Sequence, residues 1–433
     1  MSIKTFDTIV APVTGSQKAP VAIIRVSGPE AWMLAKGVVR DAPQMPESHR
    51  AYYRRFSNGD DGLLLYFSQG GSYTGDETVE ISLHGSQYSV TSLIESLIKL
   101  GARLAEPGEF TRRAFMNGRI DLTSAEAVQE VIDSVTETQF RAASEMVHGS
   151  LRREVESLRK EATRLIAEIE ARVDFEEEVG PLDRDTFAAD LERLFSETSR
   201  LASTANSGRL LRNGFRIAIL GQPNAGKSSL LNRLVQHERA LVSSTAGTTR
   251  DYITESVDIG GVACILVDTA GLRSTTEDVE ARGVALAIDQ AKIADAIWYI
   301  YDSSLGWTDD DEAAATLVAP TLVIANKSDL GQPRCEEHVS LSAHTGEGVE
   351  VLIDWVKGQI PSVEFYCNER HAGLLEDALA SLRSCLEAFT HHMPDDFLVT
   401  CLRDTVTKFD SILGLDISAD ALDDLFSHFC IGK

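Results

Sequence analysis

The sequence predicts a multidomain protein of α/β and α class: an N-terminal α+β domain, a helical domain written in two pieces, and a parallel α/β domain inserted between those pieces. Three observations predict it. At 433 residues the chain holds material for about three domains of the usual ~150 residues. Its hydrophobic period shifts near residue 120 from short β-type runs to steps of three and four, and near residue 214 to alternating strand-like and helical runs. After Pro361 the helical period returns. Helices on both sides of an α/β segment read most simply as one domain interrupted by another, inserted where two chain ends lie close.

The elements follow in order. Thr8–Ala11, Val21–Val26, Leu63–Phe67 and Val79–Leu83 are strand candidates with Gly, Ser or Pro beside them. Leu151, Val155, Leu158, Ala162, Leu165, Ile169 and Val173 form one helical stripe, and Phe187, Leu191, Leu194, Thr198 and Leu201 a second. The acidic run from Asp174 to Gly180 between them reads as a solvated turn. Strand-like runs Arg216–Leu220, Val262–Val267, Ala296–Tyr301 and Thr321–Ala325 mark the inserted sheet, and Leu375, Leu379, Leu382, Leu386 and Phe389 mark the returning helix. These shifts place domain limits at 1–118, 119–211, 212–360 and 361–433.

Hydrophobic residues make up 43% and charged residues 25% of the chain, so buried cores are available and neither disorder nor a collagen-like fold fits. The formal charge of −25 repels polyanions. A nucleic-acid partner must therefore meet a local basic patch or arrive with a basic helper protein, and Arg112, Arg113 and Arg119 are the cluster the sequence offers. Cys264, Cys335, Cys367, Cys385, Cys401 and Cys430 include no C-x-x-C pair, which points to neither zinc nor a disulfide framework and fits reduced thiols in the cytoplasm. The N-terminus lacks the apolar stretch of a signal peptide, and no run reaches the ~18 apolar residues of a membrane span. The expectation is a cytoplasmic chain without membrane contact.

The strongest motif is Gly221-Gln-Pro-Asn-Ala-Gly-Lys-Ser228, a complete G-x-x-x-x-G-K-S preceded by an apolar run and followed by the helical Ser229-Leu-Leu-Asn-Arg-Leu234. That context disfavours a chance glycine-rich turn and predicts a Ras-like P-loop domain. Asn224, Ala225, Gly226, Lys227, Ser228 and Ser229 would surround the phosphates, Lys227 reaching the β and γ oxygens and Ser228 holding Mg²⁺. Asn326, Lys327 and Asp329 follow the strand-like run Thr321–Ala325. A carboxylate there accepts N1–H and N2–H₂ of guanine, with Ser342 and Ala343 packing the base, so the nucleotide is GTP rather than ATP. Asp268, Thr269, Ala270 and Gly271 end another apolar run, placing Asp268 toward Mg²⁺ through water and Gly271 toward the γ-phosphate.

Between these lies the loop Ser243, Ser244, Thr245, Ala246, Gly247, Thr248 and Thr249, in which Thr249 is the natural second Mg²⁺ hydroxyl. The Asn224 side-chain oxygen could ligate a monovalent cation. Leu272 stands where Ras-like enzymes carry the glutamine that orients the attacking water. Of the nearby Glu277, Asp278 and Glu280, either one holds that water or all three form a solvated charge run.

Taken together these residues resemble the MnmE (TrmE) family of tRNA-modification GTPases over essentially the whole chain. The resemblance rests on Asp7–Ala11, Ile24–Gly28, Ser72–Glu77 with Glu80 and His84-Gly85, Gly108–Leu122, the nucleotide motifs with Ala246–Asp251 and Asp268–Arg273, and the terminal Phe429-Cys-Ile-Gly-Lys433. It implies an N-terminal tetrahydrofolate-binding-like domain through which a homodimer assembles, and a 5-formyl- or methylene-tetrahydrofolate donor held by Arg25, Glu80, Arg119 and Lys433. It further implies addition of an aminomethyl-type group to C5 of a tRNA wobble uridine with a flavin-dependent MnmG (GidA) partner. Asn224, Ser243, Thr245 and Thr248 resemble a K⁺ site at which G domains dimerise, and Glu280 resembles the family's catalytic glutamate.

The sequence departs from the family at three places. The loop Thr14–Pro20 lacks the usual Gly-rich stretch with Arg, Arg119 stands where Lys is common, and the segment between Asp302 and Pro320 is compact. Read as C-a-a-X, the terminal Cys430-Ile-Gly-Lys has Gly at an aliphatic position and Lys last, so prenylation does not fit. Cys430 is either a buried helical-domain thiol or, on the family reading, a thiol at the tRNA-modification centre. The other functional class is a regulatory GTPase of ribosome assembly without covalent RNA chemistry; such proteins usually carry a basic RNA-binding module, which this chain lacks.

Overall fold

The computed structural model describes residues 7–14, 18–174, 180–237, 253–268, 292–331, 338–359 and 367–432. The chain divides into two compact units, one of Met1–Gln129, Val147–Phe187 and Ser384–Lys433, the other of Glu130–Met146 and Ala188–Arg383. In the first, β1 (Ile9–Pro12), β2 (Val21–Ser27), β3 (Arg50–Arg55), β4 (Asp61–Phe67), β5 (Thr78–His84) and β6 (Arg103–Leu104) form one sheet in the order β3-β4-β5-β2-β1-β6. β1 and β6 are parallel and the other pairs antiparallel.

The two-residue strand period sorts this sheet's faces. Ile24 and Val26 of β2 and Val79 and Ile81 of β5 point into a buried cluster with Leu34 of α1 (Ala31–Gly37) and Leu93 and Leu97 of α2 (Gln87–Lys99). Arg25 and Glu80 therefore stand on the opposite face, directly paired in register. α3 (Glu109–Met116), α4 (Leu122–Asp133), α5 (Glu137–Val147), α6 (Ser150–Asp174) and α7 (Arg184–Asn213) follow, the last two realising the expected helical stripes. Of the acidic run between those helices, 175–179 lie outside the described residues.

The second unit holds β7 (Phe215–Leu220), β8 (Ile253–Ile259), β9 (Val262–Asp268), β10 (Ala296–Asp302), β11 (Leu322–Asn326) and β12 (Val339–Ser340) in the order β12-β11-β10-β7-β9-β8. β8 alone is antiparallel to its neighbour. Parallel strands covered on both faces read as continuous apolar runs, as in the wholly buried Ala296–Tyr301. α8 (Lys227–His237), α9 (Asp309–Val318) and α10 (Val349–Gln359) accompany the sheet. α9 opens on a capping box in which Asp311 accepts from Thr308 N at 3.0 Å and from the Tyr299 hydroxyl at 3.0 Å.

α11 (Glu369–Thr390), α12 (Asp395–Leu413) and α13 (Ala419–Ser427) complete the chain. Within the first unit α12 lies along α6, tied by Arg159–Asp410 and Arg403–Glu170, and Leu422, Phe426 and Phe429 close a cluster with Leu122 and Ala125. No helix among the described residues is long and apolar enough to cross a membrane. Cys264, Cys367, Cys385 and Cys401 are buried and form no disulfide among the described residues, Cys430 is exposed, and Cys335 lies outside the described residues.

The sequence pattern does not anticipate β3 and β8, and both are edge strands. An edge strand needs no continuous apolar run, and Arg-Ala-Tyr-Tyr-Arg-Arg carries hardly any apolar alternation. Other limits shift by one or two residues, as at β1, which ends at Pro12. Truncating the fully buried Leu402 of α12 to Ala should lower stability by about 2–5 kcal/mol; an unchanged urea midpoint would show that the α6–α12 pairing does not hold the unit together.

Candidate functional site

β7, β9, β10 and β11 run in the same direction, so Gly221, Asp268, Ser303 and Lys327 lie at the same edge of the sheet, at or just beyond the strand ends. The chain order reverses at β7, which has β9 on one side and β10 on the other. Ligands of open α/β sheets bind at such a point, outside the carboxyl ends of the strands.

The loop leaving β7 is shaped by close approach. A Cβ on Gly221 would fall 1.9 Å from the Ile300 carbonyl oxygen, and one on Gly226 would fall 2.1 Å from Asn326 Nδ2; both glycines, with φ +143° and +98°, sit where other residues are strained. Asn224 also turns left-handed, with φ +64°. The buried Asn326 amide explains the crowding at Gly226. Its Nδ2 donates to Ala225 O at 2.8 Å and its Oδ1 accepts from Ala343 N at 2.9 Å, joining the glycine-rich loop to the segment after β12. Lys227 is buried and donates to Gly221 O at 2.7 Å and Gln222 O at 2.8 Å, which draws the loop around its ammonium. Ser228 and Ser229 are exposed on the first turn of α8, where the helix end favours an anion.

The second loop is equally ordered. Ser342 donates to Asp329 Oδ1 at 2.6 Å and accepts from Thr345 N at 3.1 Å, orienting an exposed carboxylate. Lys327, at φ +63°, turns back to Asp302 Oδ2 at 2.6 Å. Partial burial would raise the Asp302 carboxyl, but Lys327 and Ser304 outweigh it and hold it below the ordinary 3.8. That pairing contributes fully above pH 3.8 and is lost as pH falls through the depressed value. Asp302, Thr345 and Arg233, whose Nε donates to Ala343 O at 2.9 Å, are supporting residues that sequence reasoning missed. Arg233 and Ala343 stand 110 positions apart with no motif to join them.

Asp268 ends β9 opposite Ile219 of β7, with its backbone alone described. Ser243, Ser244, Thr245, Ala246, Gly247, Thr248, Thr249, Thr269, Ala270, Gly271, Glu280 and Lys433 lie outside the described residues.

A second candidate site lies in the N-terminal sheet. Arg25 Nε and one terminal nitrogen donate to Glu80 Oε1 at 2.9 and 2.7 Å, and the guanidinium lies 5.4 Å from the Tyr73 ring and 5.5 Å from that of Phe110. Burial pushes the Tyr73 phenol up against the lowering effects of Thr111 and Arg25. Arg119 is exposed beside the same loop: a Cβ on Gly75 would fall 3.2 Å from its Cγ. The C-terminal tail runs close by, with Cys430 O accepting from Gly108 N at 3.3 Å, and a Cβ on Gly432 would fall 2.2 Å from the oxygen of Pro12, the end of β1.

Comparison with known proteins identifies the family. Residues 122–430 match the family model described as the MnmE helical domain, and residues 8–119 match the GTP-binding protein TrmE N-terminus. The chain belongs to the MnmE (TrmE) family of tRNA modification GTPases. Among curated relatives, proteins named tRNA modification GTPase MnmE are 35% identical in Nostoc sp. and 36% in Acaryochloris marina, each alignment covering 100% of this chain and 99% of the relative. The MnmE of Synechococcus elongatus is 37% identical, covering 99% of both.

One expectation is corrected within this chain. Arg112 and Arg113 are buried, not displayed: Arg112 pairs with Asp423, and Arg113 with Asp7 at 2.6 Å and Glu109 at 2.9 Å. A buried guanidinium needs such partners, and the neutralised pair offers RNA no basic surface. Only Arg119 of that cluster is exposed. For the nucleotide loop, Gly226→Ala should displace the Asn326 amide and weaken GTP binding by about 5- to 150-fold, the value of one lost buried hydrogen bond at about 1–3 kcal/mol. Undiminished affinity in a titration with a fluorescent GTP analogue would show that the two loops need no such link.

Proposed function

We propose that this GTPase couples GTP hydrolysis to modification at C5 of the wobble uridine of certain tRNAs. The group added is aminomethyl or carboxymethylaminomethyl, its carbon coming from 5-formyl- or methylene-tetrahydrofolate, and the work is shared with an FAD-containing MnmG (GidA)-type partner. The observation that carries this reading is that one chain, aligned end to end with tRNA modification GTPases, holds two separate prepared sites. One is a nucleotide loop joined to a guanine-type motif, the other an arginine–glutamate pair between aromatic rings.

The donors of the first site suit a triphosphate. Residues 221–229 contain no carboxylate, and they offer peptide N–H groups, the Lys227 ammonium and the hydroxyls of Ser228 and Ser229. Asp329, steadied by Ser342, supports guanine as the base. Ser228 and Thr249 would hold Mg²⁺ near the phosphates, and Asn224, Ser243, Thr245 and Thr248 would hold K⁺, which supplies the positive charge that an arginine finger provides elsewhere. Since Leu272 cannot orient water, Glu280 takes that role. In the second site both Arg25 bonds end on Glu80 Oε1, and Oε2 has no hydrogen-bond partner among the described residues. That acceptor suits the N–H groups of a pterin ring, and Arg119 and Lys433 would meet the rest of a folate. The exposed Cys430 thiol would act at the modification centre. The domains are assigned as 1–118 for folate and homodimerisation, 119–211 and 361–433 for the helical domain, and 212–360 for the G domain.

In cells lacking the chain, tRNA should carry unmodified wobble uridine where the modified nucleoside stood; unchanged nucleosides by mass spectrometry would leave a GTPase without RNA chemistry. Purified protein should hydrolyse GTP much faster in KCl than in equimolar NaCl, and Glu280→Ala should slow turnover with GTP affinity nearly intact. Equal rates in the two salts would remove the K⁺ site, and lost binding in the variant would make Glu280 structural.

A further inference from the structure

With Arg112 and Arg113 buried, a chain of net charge −25 needs another place to meet a polyanion. Residues 36–58 hold five cations, Lys36, Arg40, Arg50, Arg54 and Arg55, against two carboxylates, Asp41 and Glu47. Arg50, Arg54 and Arg55 stand on β3, at the free edge of the N-terminal sheet, with Arg40 tied beside them and Asp61 of β4 opposite Arg55. There Arg40, Asp41, Tyr53, Arg54 and Arg55 line an open cleft of about 580 Å³. The segment before β3 folds back beside it, Arg40 N donating to Arg55 O at 2.8 Å and Arg54 Nε to Asp41 O at 2.9 Å.

The cleft is built, yet two of its charges have no internal role. Tyr52 lies between Arg50 and Arg54, whose guanidinium carbons are 5.7 and 5.6 Å from its ring centre. Tyr53 is 64% exposed, so its ring is open to a partner from solvent. The exposed Arg40 and Arg55 side chains have no hydrogen-bond or ion-pair partner among the described residues. An edge strand gains protection from a charge or two against pairing with other strands. That function requires neither a concave site nor arginines converging on it from two separate segments.

We propose that this cleft is a contact surface for tRNA, in which Arg40, Arg54 and Arg55 grip backbone phosphates and Tyr53 stacks on an unpaired base. The inference rests on the tRNA reading above and adds the place of contact. Guanidinium groups match phosphate oxygens in paired hydrogen bonds, and aromatic rings take bases without regard to sequence. The same field would guide a polyanion past an otherwise repelling surface toward this edge.

The test is fluorescence anisotropy of a labelled tRNA transcript titrated with the full chain at several salt concentrations. Arg40→Gln with Arg55→Gln should weaken binding about tenfold and flatten the salt dependence by roughly 0.7–0.9 in log–log slope for each phosphate no longer neutralised. Arg40→Lys with Arg55→Lys should keep most of that slope, and Tyr53→Ala should lower affinity with the slope unchanged. Basal GTP hydrolysis should be the same in all of them. Wild-type affinity and slope in the glutamine double variant would overturn the proposal. So would an equal loss in a charge-matched control, Arg141→Gln with Lys357→Gln, since net charge alone would then explain it. Absence of salt-dependent tRNA binding by the wild-type chain would overturn the tRNA reading itself along with the cleft.

Discussion

The buried side-chain amide of Asn326 is the constraint on which the nucleotide region depends. It satisfies one carbonyl of the glycine-rich loop and one N–H of the segment after β12, and both bonds lie away from water. Removing the amide would strand a buried donor and a buried acceptor, each at about 1–3 kcal/mol. Gly226 is the complementary half of the arrangement, since only a residue without a Cβ leaves room for Nδ2. The phosphate-side and base-side loops are therefore held in one relative position, and ordering either one favours the other. Lys227 and Lys327 reinforce this from both sides by bonding to loop carbonyls and to Asp302.

In the N-terminal sheet the organising constraint is the alternation of side chains along paired strands. The residues that bury Ile24 and Ile81 necessarily lift Arg25 and Glu80 to the other face, and register brings the two opposite each other. Two aromatic rings then flank the guanidinium, so its direction is settled before any ligand arrives. A charged pair prepared in this way needs little reorganisation on binding, which is where affinity for a polar ligand is otherwise lost.

Charge is distributed just as unevenly. Carboxylates dominate the chain as a whole, yet the most buried arginines sit among them as neutralised groups: Arg113 between Asp7 and Glu109, Arg112 against Asp423. Burial would raise the Glu109 carboxyl, and Arg103 and Arg113 bring it below its usual range instead. At the edge of β3, by contrast, the exposed Arg40 and Arg55 have no ion-pair partner among the described residues. Counting charges along the sequence singles out the 112–119 cluster, because Asp7, which joins Glu109 at Arg113, lies about a hundred positions upstream and Asp423, which pairs with Arg112, about three hundred downstream.

By itself the sequence determined what short-range physics can encode. The helical stripes of α6 and α7, the apolar runs of the inserted parallel sheet, the phosphate loop with its lysine and the Asn326–Asp329 motif are all local patterns, and a strand followed by a glycine-rich turn and a helix has few alternatives. Only the tertiary structure decided which residues separated by long stretches of chain would meet. It assigned Asn326 to the glycine loop, Arg233 to Ala343, Arg25 to two rings, and Arg112 to an interior ion pair. It also revealed β3 and β8, whose weakly apolar sequences become strands because a neighbour supplies the hydrogen bonds. The reason is physical: periodicity reports which face of an element is apolar, whereas the partner of a buried polar group depends on packing among distant segments, and no local pattern carries that information.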